Sequence, residues 1–174
     1  QASINLGAIM IAQGAGDAGL QHLQRGLTYA EAVESVETLA EGNLRLAEGR
    51  LASRDLAGAQ AAAEAGFAVA SRVQHRFALG LARRVLGQLA AARADWAGAD
   101  AHFRAALDAF GQLDALQEVG RTLYHFSLMW QAWAAAGGGA VPEGATVMLQ
   151  QAAQIFSRLD MPHDLAAARA ALLA

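Results

Sequence analysis

Asp55-Leu56-Ala57-Gly58-Ala59 returns forty residues later as Asp95-Trp96-Ala97-Gly98-Ala99. The same step lays Gly26-Leu-Thr-Tyr-Ala30 over Gly66-Phe-Ala-Val-Ala70, and Leu6-Gly7 over Leu46-Ala47 and Leu86-Gly87. A repeat of this length describes a stack of similar units, each burying its apolar face against its neighbours. The chain is expected to be an all-α solenoid of helical hairpins.

Working outward, apolar residues at helical spacing place helices at approximately 3–14, 17–32, 37–53, 56–72, 75–94, 97–111, 116–135, 143–158 and 163–173. They make four hairpins and a closing helix, over repeats 1–34, 35–74, 75–114, 115–160 and a cap at 161–174. Ala99, Phe103, Ala106, Leu107 and Phe110 fall on one side of their helix, and Leu79, Ala82, Leu86, Leu89 and Ala90 on one side of its partner. Asp55 and Asp95 stand where second helices begin, as N-caps. Phe110-Gly-Gln-Leu-Asp114 recurs as Phe156-Ser-Arg-Leu-Asp160, six residues beyond the period. Gly137-Gly-Gly139 supplies the insertion as a loop to Val141, and Pro142 and Glu143 open the next helix. In the closing helix Leu165, Arg169 and Leu172 continue the register.

Leu86-Gly87 followed by Ala99, Phe103 and Ala106 resembles the signature of the tetratricopeptide repeat, and the resemblance runs over nearly the whole chain. The third repeat matches it well; the second departs from it with Leu46-Ala47, Ala59, Ala63 and Gly66, and the fourth with Phe126-Ser127, Ala145, Leu149 and Ala152. The period of forty exceeds the family's usual step of about 34, which longer helices accommodate. HEAT-type repeats have a closer period but lack the Leu-Gly, Ala, Phe, Ala arrangement. Extended repeats with a helix ending like Ile155-Phe156-Ser-Arg-Leu159-Asp160 and an Ala-rich closing helix are similar to the C-terminal arrays of bacterial signal-transduction ATPases, cyclases and transcription regulators. The resemblance implies a right-handed solenoid and a concave groove lined by first helices. Carried onto this sequence, the groove positions are Glu41, Glu48, Arg84, Gln88, Arg121, Tyr124 and Gln131.

Composition narrows the chemistry. The 174 residues carry a net charge of -3, and all thirteen basic residues are arginine. Without lysine there is no P-loop ending in Gly-Lys-Ser or Gly-Lys-Thr and no lysine Schiff base. Without cysteine there is no disulfide, thiol nucleophile or thiolate metal site. Scattered arginines do not make the basic stripe that nucleic acid requires. No apolar run reaches the roughly 18 residues of a membrane span. His22, His75, His102, His125 and His163 show no metal-ligand spacing and read as surface or partly packed side chains. The serines lie in no nucleophile elbow. Glu34 with Glu37 and Glu41 with Glu48 lie on a helix face most simply solvated, and Trp96, Trp130 and Trp133 read as packing.

Neither an enzyme, a cofactor nor a metal is expected. The expected partner is a protein or peptide, or another domain of the same polypeptide, with homo-oligomers also open to it. The arginine-bearing half of the groove suits an acidic or C-terminal-carboxylate segment near Arg84 and Arg121, with Tyr124 as an apolar wall. The alternative is a sensing or autoinhibitory arm of a larger signal-transduction ATPase, cyclase or transcription regulator. A cytoplasmic domain cut from a longer protein is the accompanying expectation.

Overall fold

The computed structural model describes residues 2–12 and 15–173, and over these the chain is all-helical. Nine α-helices follow one another among the described residues: α1 (Ala2–Ala12), α2 (Gly16–Ala32), α3 (Val36–Ala52), α4 (Leu56–Arg72), α5 (Arg76–Ala92), α6 (Trp96–Gly111), α7 (Leu116–Trp133), α8 (Glu143–Arg158) and α9 (Pro162–Leu173). The end expected for the first helix, at 14, lies outside the described residues. The other ends fall within two residues of their expected places.

One turn is used again and again. Glu34, Arg54, Gln74, Ala94 and Asp114 have φ between 52° and 61°, at an unbroken step of 20 residues, and Asp160 repeats the conformation with φ 52°. The residue after each donates its N–H to a carbonyl five residues back: Ser35 to Ala30, Asp55 to Arg50, His75 to Ala70, Asp95 to Ala90, Ala115 to Phe110 and Met161 to Phe156, at 2.9–3.0 Å. This is the long bond of the Schellman helix stop, and it satisfies a carbonyl that the ending helix leaves open.

The same connectors also start the next helix. Asp55 Oδ1 accepts from Gly58 N at 2.9 Å, and Asp95 Oδ1 from Gly98 N at 3.0 Å, as the sequence predicts. His75 does the equivalent work with Nδ1, which accepts from Ala78 N at 3.1 Å. A stop and a start are thus compressed into three residues.

Glycine is the usual occupant of a left-handed stop, yet none of these six positions has it. An L-residue there costs about 1–2 kcal/mol through its Cβ, against about 0.5–1 kcal/mol of extra chain entropy lost by glycine on folding. Ala94 has no polar side chain to offset the strain. Ala94→Gly should therefore raise the unfolding free energy by about 0.5–1 kcal/mol, read as a higher urea midpoint at unchanged slope; a lower midpoint would show that the turn carries no strain.

The chain divides into two compact units, residues 1–85 and 86–174, with the division inside α5. In the first unit α1 packs on α2, α2 on α3 and α3 on α4, and α1 also touches α3. Ile4, Leu23, Leu44 and Leu81 are buried in this unit, as are Ala40, Ala47, Ala59, Ala63 and Ala70. Alanine at so many core positions lets helix backbones approach closely, so the packing is tight rather than bulky.

In the second unit α6 packs on α7, α7 on α8 and α8 on α9, and α7 also touches α9. The stripe Ala99, Phe103, Ala106 and Phe110 is buried as expected, with Leu107 half-buried. Phe103 stacks on Phe126 with centroids 5.3 Å apart and 22° between the planes. Its ring also lies over Gly87, where a Cβ would come within 3.1 Å of it. That approach is the physical content of the Leu-Gly pair in this repeat. On α5, Ala82 and Leu89 are buried and Leu79, Leu86 and Ala90 half-buried, while Leu81, Arg84 and Val85 are buried as well.

The glycine run begins inside a turn. After α7, Ala134–Gly138 form a single wide turn of π type. Gly137 and Gly139 have φ 91° and 121°, and Gly138 sits so close to the Trp133 indole that a Cβ would overlap it. Two of the glycines serve backbone conformation and the third serves close approach. The Trp133 ring meets Trp130 edge-on at 5.5 Å. Pro142 precedes α8 and accepts from Ala145 N at 2.9 Å. Among the described residues no helix is long and apolar enough to cross a membrane.

Candidate interaction face

Glu41, Arg45 and Glu48 recur at helical spacing on one side of α3. Toward them comes Arg84 from α5, only 1% exposed. Its Nε and Nη2 both donate to Glu48 Oε1, at 2.9 and 2.6 Å, and Arg45 Nη1 donates to Glu48 Oε2 at 3.0 Å. One carboxylate thus holds two guanidinium groups, whose planar forks suit such pairing. Glu41 Oε1 lies 3.6 Å from His75 Nε2, the ring atom opposite the one that caps α5. Glu34 and Glu37 are exposed as expected. Glu41 and Glu48 are not simply solvated: both are partly buried, because α3 turns them toward α5 and its entry turn.

In the second unit Arg121, Tyr124 and Gln131 lie on one side of α7 and meet α9. Arg121 Nε donates to Asp164 Oδ1 at 3.0 Å and Nη2 to Oδ2 at 3.4 Å, while its Nη1 lies 3.8 Å from the Glu118 carboxylate. At the far end of α9, Gln131 Nε2 donates to the Ala171 carbonyl at 2.9 Å. Asp164 stands in the first turn of α9, where the helix dipole also favours a negative charge. Tyr124 is half-buried against Leu123, Ala152, Phe156 and Ala168, with its ring edge-on to His125 at 5.1 Å.

Burial and the Asp164 carboxylate together hold the Tyr124 phenol above its ordinary value of 10.0, burial being the larger cause. Because the folded value is the higher one, the stabilisation is complete below about pH 10 and is lost as pH rises through the folded value. In alkaline unfolding titrations the wild type should weaken above pH 10 by more than Tyr124→Phe does; identical curves would show that the phenol does not report on the α7–α9 contact.

Both units therefore use the sequence-selected polar residues alike. Glu48 with Arg84 joins α3 to α5, Glu41 with His75 joins α3 to the entry turn of α5, and Arg121 with Asp164 and Gln131 with Ala171 join α7 to α9. Gln88 is half-buried on α5. Arg84 belongs to the first unit and Arg121 to the second. Arg45, His75, Asp164 and the Ala171 carbonyl were not selected from the sequence. For His75, Asp164 and Ala171 the signal is a position 34–43 residues from the opposite number, one repeat along, whereas Arg45 lies three residues from Glu48 on the same helix. No protein-family model matches this chain, and no curated protein matches it.

Proposed function

We propose that the chain is a scaffold that binds a protein or peptide segment, built as a right-handed tetratricopeptide-like solenoid of four hairpins and a closing helix, in the cytoplasm. The regular step of 20 residues between left-handed turns supports the repeat reading, because it gives successive helices the same length and the same stop. The observation that carries the binding reading is the side of α7 that presents Arg121, Tyr124 and Gln131 together. That side accepts a helix by a carboxylate at one end, a carbonyl at the other and apolar contact between.

An acidic segment suits this face through Arg121. Arg84 would first have to leave Glu48 to meet a ligand carboxylate, and a group 1% exposed does so at high cost. The ligand contacts in the proposal are therefore Arg121, Tyr124 and Gln131, with Arg84 and Glu48 holding α3 to α5. Nucleic acid, membrane and cofactor stay outside the proposal. The second reading, a sensing or autoinhibitory arm of a larger regulator, draws support from α9, since a segment of the chain itself lies on those α7 residues.

Panning a random-peptide library against the immobilised full chain tests the binding reading. Peptides rich in Asp or Glu should be enriched, and a folded Arg121→Ala variant should lose them. No enrichment on the folded wild type would overturn it.

A further inference from the structure

All three groove residues assigned to α7 are engaged by α9, which is held in an uneven way. Within α9 only Ala168 is fully buried, Leu165 is half-buried, and Leu172 and Leu173 remain 36% and 90% exposed. Two specific anchors hold it among the described residues, Asp164 on Arg121 near the start and the Ala171 carbonyl on Gln131 near the end. A helix of 12 residues has little stability of its own in water, so α9 depends on this contact to stay folded. Beneath it lies an apolar bed of Leu123, Ala152 and Phe156. A bed with a cation at one end and an amide donor at the other is complementary to one kind of partner.

We propose that α9 is a displaceable occupant of the α7–α8 face, and that this face takes in trans a helical segment with a carboxylate in its first turn and small residues one and two turns later. The spacing is read from Asp164, Ala168 and Ala171, which repeat at steps of four and three along one side of α9. The inference rests on the scaffold reading and names its ligand class. Release of α9 would free the Arg121 fork for the incoming carboxylate and expose the bed to the incoming small residues. The chain's own helix then sets the threshold that a partner must exceed, since its effective concentration is that of a tethered ligand.

The probe is a fluorescein-labelled peptide of residues 161–173, titrated by anisotropy into the full chain. Asp164→Ala in the protein loosens the resident helix and should tighten peptide binding about 10-fold over wild type. Adding Arg121→Ala should reverse that gain, and a peptide carrying the D164A change should lose a similar factor, about the value of one charge-assisted anchor. Binding to a folded Asp164→Ala chain that is no tighter than to wild type overturns the proposal. If that variant does not fold, amide exchange in the wild type decides: α9 exchanging at least about 10-fold faster than α7 and α8 supports displacement, and exchange of all three as one unit overturns it. Library peptides enriched by the wild type while this peptide fails would reject the α9 proposal and leave the scaffold reading standing.

Discussion

Phe103→Ala should lower the unfolding free energy by about 3–5 kcal/mol. The ring is 1% exposed and is held on two sides, by Phe126 stacked on one side and by Gly87 on another. Neither wall can close the space. Gly87 has no side chain to move, and Phe126 is itself stacked on Trp130 at 6.4 Å. Cavity cost is greatest where collapse is prevented, so the upper half of the range is expected. Urea unfolding at two wavelengths measures the loss. A change below about 0.5 kcal/mol, the size of an ordinary surface substitution, would mean that the repeat register is misplaced.

Glu48→Ala should cost about 3 kcal/mol. It removes the carboxylate that holds a guanidinium 1% exposed, whereas Glu48 itself keeps about a fifth of its side-chain surface in solvent. The cost is thus chiefly that of a buried guanidinium losing the carboxylate oxygen that takes two of its N–H donors, not of a lost surface pair. Glu48→Ala combined with Arg84→Met should recover the Arg84 share of the loss, because removing both charges of a buried pair is often close to neutral, while the Arg45 bond to Glu48 stays lost. The coupling in a double-mutant cycle checks this. A Glu48→Ala variant within about 0.5 kcal/mol of wild type would place the pair among inconsequential surface contacts.

The helices were readable because their signals are local. Asp55 and Asp95 cap, Pro142 and Pro162 open helices, and the stripe from Ala99 to Phe110 has the period of a buried face. The left-handed stops at Glu34, Arg54, Gln74 and Ala94 were not, since a glycine marks such a turn in sequence and none is present. His75 as a cap was missed for a related reason: imidazole is seldom read as a substitute for aspartate. The polar residues selected as groove positions have partners within the chain that the sequence did not name, among them Arg84 on Glu48 and Asp164 on Arg121. Whether Glu48 meets solvent, a ligand or Arg84 depends on how α3 is rotated against α5, and no local pattern records that rotation. Leu172 misled in the opposite way, because it keeps the helical period where it stays 36% exposed.

The evenly spaced turns also constrain how such a chain can change length. A helix gains about 100° of rotation with each added residue, so a single insertion within α3 or α4 would point every later side chain of that helix at the wrong neighbour. A second copy of residues 35–74 spliced in after Gln74 joins a left-handed residue to an N-cap position at both seams, as the existing junctions do. Growth and loss by whole forty-residue blocks are thus nearly silent for local geometry, while changes of one or two residues are not. The excursion between Trp133 and Glu143 is the place where six extra residues have been absorbed without disturbing either flanking helix.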